Sequence, residues 1–517
     1  MTSSQIPLDL IPQDLQPLTP LEEKLIAAAP TGRAASDFDP EEPLDMEQIG
    51  DAQRVRSELL AWLLTASEVQ GMIHHKGIYL DGAKIQGTLD LADATLAYPL
   101  RLTRCIFDEK MILERSKFAL LDLSGSQTGA IEADAIHVQH DLFMGNGFHA
   151  KGEVRLQGAN IGGNLDCEGG QFDNPEGIAL FGDGLGTKGN VFLKEGFKAN
   201  GEVRLLGAQI GGQLNCINGE FENAEGDALS GDLLTIMGSV FLIDGFKAKG
   251  VVRLLGANIG GQLDCSGGEF NNPKGLALHA EGLKVSGPLF WRKMKIRPVG
   301  GVDLINADLS SLGDDMDSWP EPGKLSIDGL TYGPFVANVP ADARSRLQWL
   351  ALRDPADTSV QPYEQLIRVF RQMGLQEDAR QVAIARQRAL HRQRRGFSRF
   401  GSWLLGATID YGYRPQKVAL RFILPILALG ILVFAWASSA GLMQPTGDPP
   451  AILFDPLAYS VDVFLPIVDL HQESAWEPNT ASVSGLAVQY YLYFHILAGW
   501  FFTTLLVAAV TGLVRRE

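Results

Sequence analysis

A block of sixteen residues occurs three times along the chain at a constant spacing. It spans 152–167 and returns, with few changes, at 201–216 and 250–265, so that successive copies are 49 residues apart. A fixed period of this length is typical of solenoid proteins, in which each repeat stacks on its neighbours. The repeat therefore constrains the fold more than any other feature of the sequence.

Each period contains eight short apolar segments separated by Gly, Asn, Asp and Lys, the residues that favour turns. Such short, evenly interrupted segments are typical of a coil that turns at corners. We expect two coils per period, each of about 24 residues, stacked about 4.8 Å apart. The predicted fold is mainly β, a right-handed four-sided β-helix. We expect the glycine pairs 162–163, 211–212 and 260–261 to give the corners a positive φ.

Weaker copies of the block extend the predicted β-helix domain to residues 75–335, on the order of ten coils. Helical spacing of apolar residues within 51–74 predicts a helix that caps the first coil and shields its open edge. Residues 1–50 are polar, acidic and rich in proline, and they contain no signal-peptide pattern. We interpret them as a disordered leader.

One outward column of the β-helix is predicted to carry arginines. Arg155, Arg204 and Arg253 recur every 49 residues and alternate with inward apolar neighbours, so they should lie two coils apart. Stacked guanidinium groups need anions between them, and Glu153 and Glu202 lie close in sequence. Two interpretations are open: a column that binds a ligand, or a solvated ladder neutralised by its own carboxylates.

Composition argues against several classes of function. The net charge is −17, from 44 basic and 61 acidic residues, and a nucleic-acid-binding protein needs a basic surface. The four cysteines include three in register in the repeat and form no CxxC pair, which leaves a zinc site without support. The sequence contains no GxSxG, HExxH or GxxxxGK[ST] motif. We therefore predict a non-enzymatic protein that uses no cofactor or metal and binds no nucleic acid.

The chain changes character after the β-helix. Residues 340–400 have helical spacing and predict a helical hairpin with a basic end, and 401–421 form a juxtamembrane linker. Residues 422–443 contain no charged residue, and 485–514 contain no Asp, Glu, Lys or Arg and one histidine, His495. Residues 422–517 are therefore predicted to be a two-helix membrane domain. The predicted juxtamembrane anchor consists of Arg392, Arg394, Arg395, Arg399, Arg414, Lys417, Arg421, Arg515 and Arg516.

The loop at 444–484 contains no Lys or Arg and six carboxylates, whereas both outer flanks of the two spans are basic. The positive-inside rule then places both termini in the cytoplasm. We expect a multi-pass protein of the inner (cell) membrane, in contact with membrane lipid. The loop itself is expected to lie outside the cytoplasm.

The segment 455–470 of this loop is mostly apolar, and its prolines predict a helix of about ten residues, too short to span a bilayer. Two interpretations are open: a re-entrant helix, or a helix lying on the membrane surface. The order of elements is similar to that of tetrameric ion-channel pore domains, although no Thr-x-Gly-Tyr-Gly filter is present. As a pore, Asp462, Asp469 and Glu473 would surround an axis and attract cations. His495 would lie on the same ion path, or simply hydrogen-bond a neighbouring helix.

Four phrases carry a resemblance to a known family: the repeated Val-Arg-Leu-Leu-Gly-Ala-x-Ile-Gly-Gly-x-Leu-x-Cys, the repeated Phe-Lys-Ala-x-Gly, the Tyr-Glu-Gln-Leu of 363–366 and the Gly-Tyr-Arg-Pro of 412–415. Over 75–517 the chain resembles a bacterial family of β-helix membrane proteins with a terminal two-helix hairpin, similar in its solenoid to pentapeptide-repeat proteins. Members are sometimes labelled membrane-associated oxidoreductases. The resemblance implies that label, but no residue of this sequence supports it.

The leading functional hypothesis is a homo-oligomeric membrane protein. Its cytoplasmic rod would serve recognition or assembly, with a cytoplasmic protein as ligand of the β-helix, and its hairpin would form a channel-like pore. The alternative is a scaffold or filament beneath the membrane without a pore. A membrane-associated oxidoreductase is the third hypothesis.

Overall fold

The structure is a computed structural model, and it describes residues 6–39, 42–393, 397–447 and 452–511. The chain divides into two compact units, Met1–Gly374 and Leu375–Glu517. This boundary falls inside the predicted hairpin of residues 340–400, so the two parts of that segment belong to different units.

The chain begins with short helices, continues with a long run of strands and ends with a mainly helical part. The helices are α1 Pro20–Ala28, α2 Ser57–Thr65, α3 Ser67–Gln70, α4 Ala343–Leu350, α5 Gln361–Gln372, α6 Gln376–Gln393, α7 Phe397–Ile409, α8 Gln416–Val418, α9 Leu424–Ser439, α10 Pro456–Phe464, α11 Gln472–Ala475 and α12 Val483–Val510. A π-helical turn, Ala419–Ile423, joins α8 to α9.

The strands are mostly two or three residues long. In chain order they are β1 Ala34–Ala35, β2 Arg54–Arg56, β3 Ile78–Asp81, β4 Lys84–Gln86, β5 Leu89–Asp90, β6 Thr95–Leu96, β7 Leu100–Thr103, β8 Ile106–Phe107, β9 Met111–Ile112, β10 Lys117–Phe118, β11 Leu121–Asp122, β12 Gln127–Thr128, β13 Ile131–Glu132, β14 His137–Val138, β15 Leu142–Phe143, β16 His149–Lys151, β17 Val154–Arg155, β18 Asn160–Ile161, β19 Leu165–Asp166, β20 Gln171–Phe181, β21 Gly186–Thr187, β22 Val191–Phe192, β23 Lys198–Arg204, β24 Gln209–Ile210, β25 Leu214–Asn215, β26 Glu220–Ser230, β27 Thr235–Ile236, β28 Val240–Phe241, β29 Lys247–Arg253, β30 Asn258–Ile259, β31 Leu263–Asp264, β32 Glu269–His279, β33 Lys284–Trp291, β34 Val299–Asp303, β35 Asp308–Asp314, β36 Leu325–Ser326, β37 Thr331–Tyr332, β38 Met443–Pro445 and β39 Trp476–Pro478.

The first unit is a parallel β-solenoid of about 11 turns, as the repeat predicts. Strands of successive turns pair in parallel, and within the described residues they form one sheet of 21 strands and another of 16. One turn contributes β14 and β15 to the larger sheet and β16 and β17 to the smaller sheet. The right-handed winding and the four-sided section stay predictions.

The 49-residue period corresponds to two unequal turns. Asn160 pairs with Gly186 and Gly186 with Gln209, so successive turns take 26 and 23 residues. The longer turns contain the eleven-residue strands β20, β26 and β32, whose pairing is interrupted by register shifts. In β20 the bulged backbone is tied by Asn174 Nδ2, which donates to Ile178 O at 2.9 Å. The expectation of two coils per period is therefore confirmed.

An aromatic ladder runs through the interior of the solenoid. Neighbouring rings lie 5.0–5.8 Å apart between centroids, a distance typical of favourable aromatic pairs. Each ring packs on the ring of the next turn in a continuous core. Because this core is closely packed, a shift of one turn against the next would open cavities. The ladder consists of Phe148, Phe172, Phe197, Phe221, Phe246, Phe270, Trp291, Trp319 and Trp349.

The prediction for the glycine pairs is wrong. None of Gly162, Gly163 and their repeat counterparts at 211–212 and 260–261 has a positive φ. A Cβ at Gly162 would instead lie closer than 3.0 Å to the carbonyl oxygen of Gln139 in the preceding turn. These glycines are required because two backbones approach each other, not because of their own conformation.

The positive φ angles fall at other corners, and there the residue type varies. The corner residues Gly158, Gly184, Gly207 and Leu233 have φ of 63°, 67°, 63° and 54°. A Cβ at Gly184 would meet nothing within 4 Å. Because Leu233 occupies the same corner one repeat after Gly184, this corner accepts a side chain.

The N-terminal segment differs from the predicted disordered leader within residues 6–39 and 42–50. Helix α1 begins with a capping box, in which Thr19 accepts from the N–H of Glu22 and the Glu22 carboxylate accepts from the N–H of Thr19. Its apolar side chains Leu21 and Leu25 are buried. Strand β1 pairs with β3, so the segment joins the first turn of the solenoid. The Thr-x-x-Glu signal with proline at the first helical position was present in the sequence.

The last turns are covered by α4 and α5. Arg346 of α4 forms a bidentate ion pair with Asp314 at 2.7 and 2.8 Å, and both side chains are at most 3% exposed. Trp319 Nε1 also donates to Asp314, and the guanidinium carbon of Arg346 lies 3.8 Å from the centroid of the Phe335 ring. In α5, Gln365 Nε2 donates to the carbonyl of Tyr332 in the final strand.

The second unit contains α6 to α12 and the antiparallel pair of β38 and β39. Among its described residues, two helices are long and apolar enough to cross a membrane, Gln416–Ser439 with 24 residues and Val483–Val510 with 28. These helices correspond to the two predicted spans. They pack on each other through contacts such as the stacked rings of Phe422 and Phe502, 5.0 Å apart.

Candidate functional site

The short helix α10 lies between the two long helices of the second unit. Asp455 caps its start by accepting from the N–H groups of Leu457 and Ala458 at 2.9 and 3.3 Å. Proline follows the cap and a second proline follows the helix, as the sequence predicts. The inner face of α10 packs in one apolar cluster with α9 and α12. This cluster contains Phe434, Ala437, Met443, Tyr459, Val463, Val488 and Leu492.

A buried polar cluster connects the three helices. His495 Nε2 lies 3.1 Å from Ser460 Oγ and 3.2 Å from Ser460 O, and Ser460 Oγ is also 3.2 Å from Leu427 O. Tyr491 OH lies 3.4 Å from His495 Nδ1. A neutral imidazole that donates from Nε2 and accepts at Nδ1 satisfies all these contacts. Of the two interpretations of His495, the hydrogen bond to a neighbouring helix is the one this geometry fits.

Two glycines make room for α10. A Cβ at Gly430 of α9 would lie closer than 3.0 Å to His495 and Ser460, and one at Gly499 of α12 would lie equally close to Phe464. Both glycines are in the middle third of their helices. The end of α10 therefore reaches the central part of the helix pair rather than resting on one end of it.

Asp462 has a different position from that expected for a pore carboxylate. It is 7% exposed, and its oxygens accept from the N–H groups of Leu470, Gln472 and Glu473 at 2.6, 2.8 and 2.9 Å. Three backbone donors bind a carboxylate that has no ion-pair partner among the described residues. Asp462 therefore fixes the return of the chain after α10.

The segment between α10 and α11 is irregular and exposed in the single chain. Ile467 is 86% exposed. Asp469 and His471 form a pair at 2.9 Å and are 75% and 76% exposed. Glu473 is exposed as well. Of the three predicted carboxylates, Asp469 and Glu473 thus remain accessible to an ion, and Asp462 does not.

The predicted juxtamembrane anchor is described only in part. Arg414 pairs with Glu377 at 3.0 Å, Lys417 pairs with the buried Asp410 at 2.9 Å, and Arg421 is exposed. The other predicted members lie outside the residues whose side chains the structure describes: Arg392, Arg394, Arg395, Arg399, Arg515 and Arg516.

The arginine column of the solenoid is neutralised from within. Arg155, Arg204 and Arg253 lie two turns apart in register, since Arg155 pairs with Phe181, which pairs in turn with Arg204. The guanidinium carbons of Arg155 and Arg204 lie 4.8 and 5.4 Å from the centroid of the Phe181 ring. Of the expected counter-ions, Glu153 lies within ion-pair distance of Arg155, but the closest partners are aspartates of the preceding turn. These are Asp134, Asp183 and Asp232, at 2.7, 2.9 and 2.7 Å.

The sequence contained this signal, because the three aspartates also recur every 49 residues. Each one accepts from a backbone N–H two residues beyond its arginine, at 3.2 Å. Glu153 is only a secondary neighbour of Arg155, at 3.8 Å. Burial, with a smaller effect of the negatively charged Asp227, raises the pKa of the other expected counter-ion, Glu202. The geometry favours the self-neutralised ladder over a column open to a ligand.

The cysteines are buried thiols. Cys105, Cys167, Cys216 and Cys265 are free, and each is 0% exposed. Burial raises the pKa of Cys105 to about 12 and also raises the pKa of the other three. A thiol needs its thiolate form to react, so these groups are chemically quiet at neutral pH.

Compared with known proteins, the chain matches no family model, no curated protein and no solved structure. The resemblance to β-helix membrane proteins therefore stays a prediction. The solenoid and the two long apolar helices fit a membrane-anchored β-helix protein.

Proposed function

We propose that the chain is a homo-oligomeric inner-membrane protein whose two long helices span the bilayer and whose solenoid and termini lie in the cytoplasm. In this proposal the solenoid serves recognition or assembly, with a cytoplasmic protein as its ligand, and the oligomer encloses a channel-like pore. The orientation is supported by the basic flanks and by a loop that lacks Lys and Arg.

The observation that carries the proposal is the irregular segment 465–471 between α10 and α11. It follows Phe464, which lies against the middle of α12, and it leads through α11 to β39, which pairs with the strand that follows α9. If α9 and α12 span a bilayer, this segment lies at membrane depth with non-helical backbone and exposed polar groups. Hydrocarbon cannot satisfy such groups, so they must be covered by protein or line a water-filled cavity. Further copies of the chain, arranged around an axis, provide both.

A cysteine at Ile467 is expected to form disulfides between copies in native membranes. The four natural cysteines are buried, so they contribute little background. Oxidation of Ile467→Cys should convert most of the monomer band to dimer on non-reducing gels, because the segments meet near the axis. Chemical crosslinking of the purified protein in detergent should give a ladder that ends at the full ring.

The matched control is Leu429→Cys. Leu429 of α9 is 48% exposed and is expected to contact lipid. This variant should give several-fold less dimer. Equal yields at the two positions, together with a monomeric mass in detergent, would contradict the oligomer.

The pore predicts an ion flux that depends on Asp469. Vesicles containing the full chain should release a trapped cation faster than empty vesicles, and Asp469→Asn should reduce the rate because it removes a carboxylate from the path. Asp462→Asn is not a suitable control, since it disturbs the loop. Glu225→Gln, on the solenoid surface and 80% exposed, should leave the flux unchanged. Flux that equals that of empty vesicles and does not change with Asp469→Asn would remove the pore.

The filament alternative has less support. An end-to-end filament needs open terminal strands, whereas β1 with α1 covers the first turn and α4 with α5 covers the last. The oxidoreductase hypothesis has no support from the buried thiols.

A further inference from the structure

One corner of the solenoid departs from the repeat in charge. Residues 292–297, here called the basic corner, read Arg-Lys-Met-Lys-Ile-Arg. At the position of Lys293 the same corner carries Asp244 one repeat earlier and Glu195 two repeats earlier. Four cations within six residues are thus concentrated at one place in a chain whose net charge is −17.

The basic corner is also longer than its counterpart. Phe241 and Phe290 both pair with Asp264, and Lys249 and Val299 both pair with Asn271. The connection from Phe290 to Val299 is therefore one residue longer than the connection from Phe241 to Lys249.

The base of the corner is fixed while its tip is exposed. The N–H of Lys293 donates to Asp315 at 2.7 Å, and the N–H of Met294 donates to Ser318 Oγ at 3.1 Å. Met294 is 8% exposed and Pro298 is buried. In contrast, the side chains of Lys293, Lys295, Ile296 and Arg297 are exposed, Ile296 by 57%. The exposed side chain of Ile296 is thus flanked by those of Lys295 and Arg297, and hydrogen bonds hold the backbone at the base of the corner.

Among the described residues, the side chains of Lys293 and Lys295 form no ion pair with a carboxylate. Arg297 lies 3.9 Å from Asp317, which is fully exposed and so interacts weakly. Asp315 is occupied by the N–H groups of Lys293 and Ser318. Arg292, Lys293 and Lys295 line an open groove of about 660 Å³ together with Asp244 and Asp264.

We infer that the basic corner binds the anionic headgroups of a phospholipid surface, with Ile296 entering the interfacial region. Exposed cations around an aliphatic tip are what such a surface attracts, since headgroup charge and interfacial burial act together. The corner lies in the last part of the solenoid, from which the chain continues to the unit with the membrane-like helices. The inference rests on the proposed function only in requiring that the chain be held at a membrane.

The test uses the full chain carrying Ile296→Cys, labelled with an environment-sensitive fluorophore and reconstituted into vesicles that contain headgroup-proximal spin-labelled lipid. Because the natural cysteines are buried, the label reports on this position alone. We expect quenching in vesicles with phosphatidylglycerol to exceed that in phosphatidylcholine vesicles by about twofold or more, and to fall at high salt. Replacing Lys293, Lys295 and Arg297 by Gln should abolish the difference.

The matched control removes the same charge elsewhere on the solenoid, by replacing the exposed Lys117, Lys188 and Lys284 with Gln. It should retain the difference between the two lipids. Equal quenching in both lipids, equal loss in the two triple variants, or a label that responds to added RNA or inorganic phosphate but not to lipid would overturn the inference. A chain that floats with the vesicles after alkaline washing while its label stays silent refutes this inference alone. A chain that does not float refutes the proposed function.

Discussion

Replacing Arg346 by methionine is expected to lower the free energy of unfolding of the first unit by about 3–5 kcal/mol. The substitution leaves the Asp314 carboxylate, 2% exposed, with the indole N–H of Trp319 as its remaining donor. It also removes the cation that lies against the ring of Phe335. Since α4 covers the last turns through this pair, unfolding should begin at that end of the solenoid. Denaturant titration of the full chain in detergent, followed by far-ultraviolet circular dichroism, measures the change.

The control is Lys274→Met, which breaks the exposed pair between Lys274 and Glu225, 64% and 80% exposed. It should cost less than about 1 kcal/mol, because water solvates both charges. The double variant Asp314→Asn/Arg346→Met should lose less than the sum of the single variants, since no unpaired charge remains buried. If the Arg346 and Lys274 variants are equally stable, the end of the solenoid does not depend on the buried pair.

Gly162→Ala is expected to destabilise the solenoid by about 3 kcal/mol, although φ of Gly162 is not positive. The new methyl group would meet the carbonyl of Gln139 closer than 3.0 Å, so two turns must separate locally. Strands β14 and β18 pair directly before Gln139 and Gly162, and this pairing would lose its register. The loss is measured by the same titration.

Gly184→Asn is the matched comparison, and it should cost about 1 kcal/mol or less. Gly184 has φ of 67°, a region in which asparagine is tolerated, and a Cβ there meets nothing within 4 Å. The usual expectation, that the glycine with positive φ is the sensitive one, is therefore reversed. A larger effect at Gly184 than at Gly162 would show that backbone conformation, and not the distance between turns, governs this solenoid.

For the candidate site in the second unit, the sequence predicted the secondary-structure elements but not the contacts between them. The prolines around 456–466 and the apolar composition predict a short helix, and helix α10 is found there. The roles within it depend on contacts between distant residues. Asp462 accepts from N–H groups eight to eleven residues away, and Ser460 meets His495 thirty-five residues away. No local pattern indicates which of three carboxylates turns inward, because that depends on where the returning chain places its donors.

The solenoid, its two turns per period and the two long apolar helices could all be predicted before the structure was known, because they follow from periodicity and composition along the chain. Tertiary structure alone decided which glycines are indispensable, which aspartates neutralise Arg155 and its repeats, and that the N-terminal segment packs on the first turn. The physical reason is the same in each case. A repeat fixes what each turn contains, whereas the distance between atoms of neighbouring turns appears only when the turns are stacked.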